Sequence, residues 1–270
     1  GGGTMNRVLL IVLCLASVPA YAVRKGVTVD RYDDSAFVAL VAKHAPEGRV
    51  DYAAWKANAA DVAALEAFIK QISSASPQNR PELFPTPAEK TAYWCTAYNA
   101  WTVWSVLELW PIKSVMDVKS GVLSYFKPGA GFFYGRTIVL GGRETNLYDL
   151  ENKVIRKLGD PRIHFAINCA SNSCPTLQAA HWTQEELESA TRAFVNNPQQ
   201  VRVTSEGVSV NPILDWYKED FGNVPEFLLR YANEGPLREQ LLKVKAGKAR
   251  LNYFEYDWGV NARLRGPSGP

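Results

Sequence analysis

The segment Ile163-His164-Phe165-Ala166-Ile167-Asn168-Cys169 carries the clearest chemistry in the chain. Read as a strand, it sends Ile163, Phe165 and Ile167 to one side and His164, Ala166 and Asn168 to the other. The first side is core. The second combines a titratable ring, a small residue and an amide, which suits a groove. A regular strand points Cys169 with the isoleucines, toward the core, in a structural or bridging role. Ala170-Ser171-Asn172-Ser173 is turn chemistry, and Cys174-Pro175 reads as a helix start with proline in the first turn. A thiol at a helix N-terminus has a lowered pKa and is the better nucleophile. A nearby histidine serves such a thiol as ion-pair partner or base. Asn168 lies about 13 Å along a strand from His164, so the loop has to fold back for Cys174 to reach the ring. The competing reading is a Cys169–Cys174 disulfide, whose short loop contributes roughly 2 kcal/mol in the chain-entropy picture. A third reading joins the two: a reversible bridge used in thiol exchange.

Two polar residues sit where packing alone prefers apolar ones. Glu151 falls within the helical stripe Leu147, Leu150, Val154, Ile155 and Leu158, so its carboxylate faces the protein and needs a partner. His164 is one candidate, since a carboxylate orients an imidazole. Arg162, Arg156 or solvent are the others. Asn99 lies on a nearly all-apolar helix and must either tie down a loop or orient a reacting group. His44 and His181 sit beside expected helix ends and read as surface residues. The histidines and cysteines lack metal-ligand spacing, and neither a phosphate loop nor a G-x-S-x-G elbow occurs. No metal and no cofactor is implied. Asp215-Trp216-Tyr217 with Asp220-Phe221, and Tyr256-Asp257-Trp258 with Asn261, are aromatic-acid clusters of the packing-anchor kind.

These residues need elements to hold them. Helices are expected over 35–43 and 53–72. Thr86-Pro87-Ala88-Glu89 is a capping box with proline at the first helical position. The helix after it, 88–109, is apolar nearly all round and should be the buried centre of the molecule, stopped by Pro111. Residues 122–126 and 132–140 read as strands, Asn146 caps a helix through Leu158, and Thr183 opens a second capping box. Residues 201–210 form a hairpin turning at Glu206-Gly207, short helices follow, and 251–258 closes the domain as a strand. Helices first and strands in the middle argue for an α+β fold.

The sequence begins with Gly1-Gly2-Gly3-Thr4 ahead of Met5, which is set aside. Arg7, an apolar run from Val8 to Val18 and Ala20-Tyr21-Ala22 make residues 5–22 a bacterial-type signal peptide, so a periplasmic or secreted protein is expected. The apolar run is shorter than the roughly 20 residues that span a bilayer, and no integral span is expected after cleavage. The net charge of +3 loses Arg7 on cleavage, which leaves it too near neutral for a nucleic-acid or membrane-surface partner. Cleavage also removes Cys14, leaving Cys95, Cys169 and Cys174: one bridge at most, plus a spare thiol. Residues 23–265 then form one domain, with no linker or repeat inside it.

Together these segments resemble the domain-of-unknown-function family numbered 547. The likeness rests on Val50-Asp51-Tyr52, Tyr93-Trp94 with Ala97-Tyr98-Asn99-Ala100, Lys113-Ser114, Leu150-Glu151 and the run Asp160 to Ala166. It continues through Cys169-Ala170-Ser171, Cys174-Pro175, Trp216-Tyr217, Asp220-Phe221 and Tyr256-Asp257-Trp258. The family pattern resembles Glu151, His164, Cys169 and Cys174 at their positions here. It departs at Cys95-Thr96, where the family has an aliphatic residue followed by Asn, so Cys95 inherits no role. The order Cys95, His164, later Asp mimics papain-like and transglutaminase-like enzymes in order alone.

The expected architecture is a single α+β domain whose buried central helix packs on a mainly antiparallel sheet. The expected function is a thiol-dependent acyl-transfer enzyme (amidase, peptidase or transferase) acting on a small peptide or cell-envelope compound. Cys174 is its nucleophile, His164 its base and Glu151 the orienting carboxylate, with Cys169, Asn99, Asn168 and Ser171 supporting or bridging. The alternatives are a non-catalytic periplasmic binding or scaffold domain stapled by Cys169–Cys174, and a thiol–disulfide exchange protein.

Overall fold

The computed structural model describes residues 26–263; the signal peptide reading and Cys14 lie outside them. Helix α1 (Ser35–His44) precedes α2 (Tyr52–Ala57) and α3 (Ala59–Ser74). The single helix expected over 53–72 is broken at Asn58, whose side chain accepts the Asp61 amide and caps α3. Helix α4 (Pro87–Leu109) begins as its sequence dictates, with the Thr86–Glu89 box closed in both directions. Its side chains are buried from Tyr93 through Val103 without a break, and its chief neighbours are α2, α3 and the helical stretch after Asn146. The central helix is therefore wrapped by helices rather than laid on an antiparallel sheet.

The reason lies in segments expected to be strands. Residues Val122–Tyr125 wind into a 3₁₀ turn, and Ala130–Phe133 forms a short helix, α5. Only β1 (Ile138–Leu140) remains extended, paired antiparallel with β2 (Arg143–Thr145). Short apolar runs have the same pattern whether buried as strand or as helix, and here the wound form wins. Asn146 caps α6 (Leu147–Asp149), which runs on as a π-helical stretch, Leu150–Ile155, and a 3₁₀ turn, Arg156–Leu158. Residues Pro161–Phe165 are a 3₁₀ helix, not a strand.

Helix α7 (Gln184–Val195) again carries its full capping box. The hairpin β3 (Val201–Thr204) and β4 (Gly207–Val210) turns where the sequence places it. Short helices α8 (Ile213–Trp216), α9 (Lys218–Phe221) and α10 (Val224–Tyr231) precede α11 (Pro236–Lys245). Strand β5 (Arg250–Tyr253) then joins β4 in parallel, so the second sheet is mixed. The fold is α+β, with two small sheets and a helical centre. One apolar core surrounds α4, and a second lies between α7, the hairpin and α10. Among the described residues no helix is long and apolar enough to cross a membrane.

Histidine placement also differs from expectation in one case. His44 is buried, stacked on Trp55 at 4.7 Å and bonded to Asp61 at 2.7 Å. His181 is half-exposed, as a surface residue should be, and pairs with Asp34.

Candidate functional site

Winding of residues Pro161–Phe165 changes which way each side chain points. A 3₁₀ helix rises about 2 Å per residue against about 3.3 Å for a strand, so the chain is shortened and its alternation lost. Ile163, Ala166 and Ile167 enter the core around α4, while Phe165 enters the second core. His164 faces a cavity of about 670 Å³, which it shares with Glu151, Cys169 and Cys174. Tyr98, Tyr217 and Trp258 supply much of its aromatic wall.

The two sulfurs are carried by a loop that doubles back. Asn99, on the central helix, donates to the Ala166 carbonyl at 2.9 Å and accepts the Asn168 amide at 2.8 Å. Asn168 in turn donates to the Pro175 carbonyl and accepts from the Ala170 amide and from Asn261. Neither amide lines the cavity; both hold the loop that does. Ala170 adopts φ 61°, the left-handed region that an L-residue enters at a cost of about 1–2 kcal/mol. That bend turns Cys169 away from the core it was expected to face and beside Ser171.

The result is a compact sulfur and hydroxyl cluster. Cys169 Sγ lies 2.9 Å from Cys174 Sγ, 3.2 Å from Ser171 Oγ and 3.4 Å from the Tyr256 hydroxyl. Ser171 and Tyr256 are themselves 2.8 Å apart. No disulfide joins the cysteines, and Cys95, Cys169 and Cys174 are all thiols here. The Cys174 thiol donating to it, followed by the Ser171 and Tyr256 hydroxyls, outweighs burial and brings Cys169 down to about 7. Cys174 is pushed up by burial. It begins no helix, since the next one starts at Gln184, so the dipole effect expected at Cys174-Pro175 does not operate. Cys169 is the sulfur poised to ionise.

Glu151 sits in the π-helical stretch, buried, and receives the hydroxyls of Tyr98 and Tyr217. Such stretches widen a helix locally and recur at functional sites. Burial, then the Glu151 charge, raises both phenols far above their ordinary range, so they remain donors. Among the described residues Glu151 forms an ion pair with none of its three expected partners, His164, Arg162 and Arg156. The ring of His164 is bonded through Nε2 to Asp220 at 2.7 Å and stacks on Tyr217 at 4.2 Å. Arg156 holds Asp220 through two hydrogen bonds of 2.6 and 2.9 Å. The ring's partner is thus neither Glu151 nor a sulfur.

Sequence reasoning missed Asp220, Tyr217 and Tyr256 as site residues, having read them as packing anchors. The signal was present in the acid-beside-aromatic pattern of 215–221 and 256–258, but not its target. Cys95 is buried on α4, its thiol raised by burial, and is not among the cavity residues. The papain-like order of Cys95 and His164 therefore gains nothing from its placement.

A helical α+β protein with a two-thiol, aromatic-walled cavity is what the fold and site define. Residues 84–195 match the family described as "Protein of unknown function, DUF547", a stretch that runs from the turn before α4 through Glu151, His164, Cys169 and Cys174 to the end of α7. The match is narrower than the resemblance read from the sequence, which extended from Val50 to Trp258. Comparison with curated proteins finds no match, and no solved structure matches the chain.

Proposed function

We propose that the protein is a thiol-dependent acyl-transfer enzyme, an amidase, peptidase or transferase, in which Cys169 rather than Cys174 is the nucleophile. The observation that carries this reading is the position of Cys169 Sγ: on the cavity wall, within reach of both the Ser171 and Tyr256 hydroxyls, with Glu151 in the same cavity. A thiolate with a pKa near the ambient pH combines population with nucleophilicity. It attacks the carbonyl carbon of a small peptide or cell-envelope compound, a C–S bond forms, and the bond to the departing nitrogen or oxygen breaks. The proton that Cys169 gives up on ionising is held at Glu151 before the attack and passes from there to that departing group. Water or an acceptor amine or hydroxyl then cleaves the thioester, its own proton returning through Glu151, and the thiol is regenerated. His164, fixed by Asp220 and Arg156, positions Tyr217 and through it Glu151.

Mixing the protein with p-nitrophenyl acetate tests this. A burst of one p-nitrophenol per chain and an acetyl group on Cys169 are expected, lost in Cys169→Ser and kept in Cys174→Ser. Acetylation of Cys169 no faster than in the unfolded chain overturns the reading.

One observation favours a second reading, thiol–disulfide exchange. The sulfurs stand 2.9 Å apart, less than 1 Å beyond the roughly 2.05 Å of a disulfide bond. Cys169 then attacks a substrate disulfide, and Cys174 resolves the mixed disulfide, leaving the enzyme oxidised and the substrate reduced by two electrons. Equilibration of the pair with glutathione distinguishes this from a permanent structural staple in a binding domain. Residues 5–22 support export to the periplasm or beyond, with 23–265 as the working domain.

A further inference from the structure

The loop over 121–128 is built inside out. Val122, Tyr125 and Phe126 are 77 %, 73 % and 82 % exposed, and Leu123 is exposed too, while Ser124 between them is 1 % exposed. The buried serine is used throughout: its hydroxyl donates to the Gly121 carbonyl at 2.7 Å and accepts the Ser120 amide at 3.1 Å. Its carbonyl accepts Lys119 Nζ at 3.0 Å. Behind it the chain is in close contact with α5. A Cβ at Gly131 or Gly135 would collide with the carbonyl oxygens of Val118 and Ser120. Apolar side chains are therefore held outward by a fixed backbone rather than left out by a loose one.

Four adjacent large apolar side chains in water cost roughly 25 cal/mol per Å² of their surface, and such patches mark interaction sites. The surroundings indicate the partner. Lys119 and Lys127 flank the patch and are exposed. From 113 to 136 the basic residues are Lys113, Lys119, Lys127 and Arg136, and Asp117 is the acid. Arg136 is engaged by Glu108, Lys119 Nζ by the Ser124 carbonyl, and Lys127 Nζ lies over the Tyr134 ring at 5.1 Å, yet both lysines stay exposed at the patch's rim. Valine, leucine and phenylalanine tips, a tyrosine between them and lysines at the rim match the layering of a bilayer interface: acyl chains, carbonyl region, anionic headgroups. Lys127, Pro128 and Gly129 also line the thiol cavity.

We propose that the 121–128 loop is a docking device for an anionic lipid bilayer, which brings the thiol cavity to the membrane surface. The proposal stands apart from the acyl-transfer reading, since it uses neither sulfur. It reverses the expectation drawn from net charge alone, because the charge is near neutral over the chain but locally basic beside the patch.

Flotation of the full chain with phosphatidylglycerol/phosphatidylcholine vesicles tests it. The protein rises with the anionic vesicles and at least tenfold less with pure phosphatidylcholine. Val122→Ser/Phe126→Ser lowers binding by roughly tenfold or more per side chain, as loss of a buried apolar group requires. Lys127→Gln, which leaves the Ser124 anchor and the apolar tips in place, lowers it too, and added salt acts in the same direction. Cys169→Ser floats as well as the unaltered chain, so failure of the thiol chemistry leaves this result standing. Absence of flotation on anionic vesicles, or equal flotation of the serine pair, overturns the proposal. Self-association in sedimentation that the serine pair abolishes, without vesicle binding, overturns it in favour of a second copy.

Discussion

At the scale of single residues, the cysteine pair divides its labour through surroundings rather than chemistry. Both are thiols of the same kind, yet Cys169 is lowered by the Cys174 thiol and then by two hydroxyls within reach, while Cys174 is raised by burial. Iodoacetamide labelling of Cys169 should rise through a midpoint at about pH 7, with Cys174 silent over the same range. Tyr256→Phe removes one donor to the thiolate and should move that midpoint upward by about one pH unit, measured by labelling rate against pH. An unchanged midpoint would show that Tyr256 is only a wall. The sequence made His164, Glu151 and both cysteines legible as residues out of keeping with simple packing. It did not make their pairing legible, because Asp220 reaches His164 across 56 positions and nothing local announces such a contact.

At the scale of elements, the signals that succeeded were the short-range ones. Thr86-Pro87 with Glu89 and Thr183 with Glu186 fix helix starts through hydrogen bonds spanning three residues, so the sequence alone contains them. The same grammar was available at Asp160-Pro161, where Asp160 caps through the Arg162 amide and proline opens the turn. It was overruled by the apolar run behind it, whose alternation happens to satisfy a strand. What then places the cysteines is the amide clamp from α4. Asn99→Ala leaves the Ala166 carbonyl and the Asn168 amide buried without their partner, and should destabilise the protein by about 2–4 kcal/mol in urea unfolding. It should also slow alkylation of Cys169 relative to its rate in the native loop. A loss below about 0.5 kcal/mol, the range of an ordinary surface change, would remove the clamp from this account.

At the scale of the whole molecule, Asp220 joins the cavity's histidine to Arg156 and so connects α9 to the 3₁₀ turn that directly follows the stretch carrying Glu151. Its hydrogen bond to His164, and then its bonds to Arg156, hold the carboxyl well below the usual carboxylate range. A depressed folded pKa contributes stability above the unfolded value, about 3.9, and that contribution is lost as pH falls toward the folded one. The urea midpoint should therefore decline steeply below about pH 4. In Asp220→Asn the decline should be shallower, and the protein weaker by about 1–3 kcal/mol at pH 7. Parallel curves for the two proteins would sink the linkage. Distant segments meet again along residues 256–263. There Val260 bridges to Ser171, Gly259 to Ser114 and Ala262 to Val50, Asn261 reaches Tyr52 and Asn168, and Tyr256 touches Cys169. A chain emerging from its N-terminus has both sulfurs long before it has the phenol that meets them. The hydroxyl contact of Tyr256 with Cys169 thus forms only once the last segment has closed on the first ones.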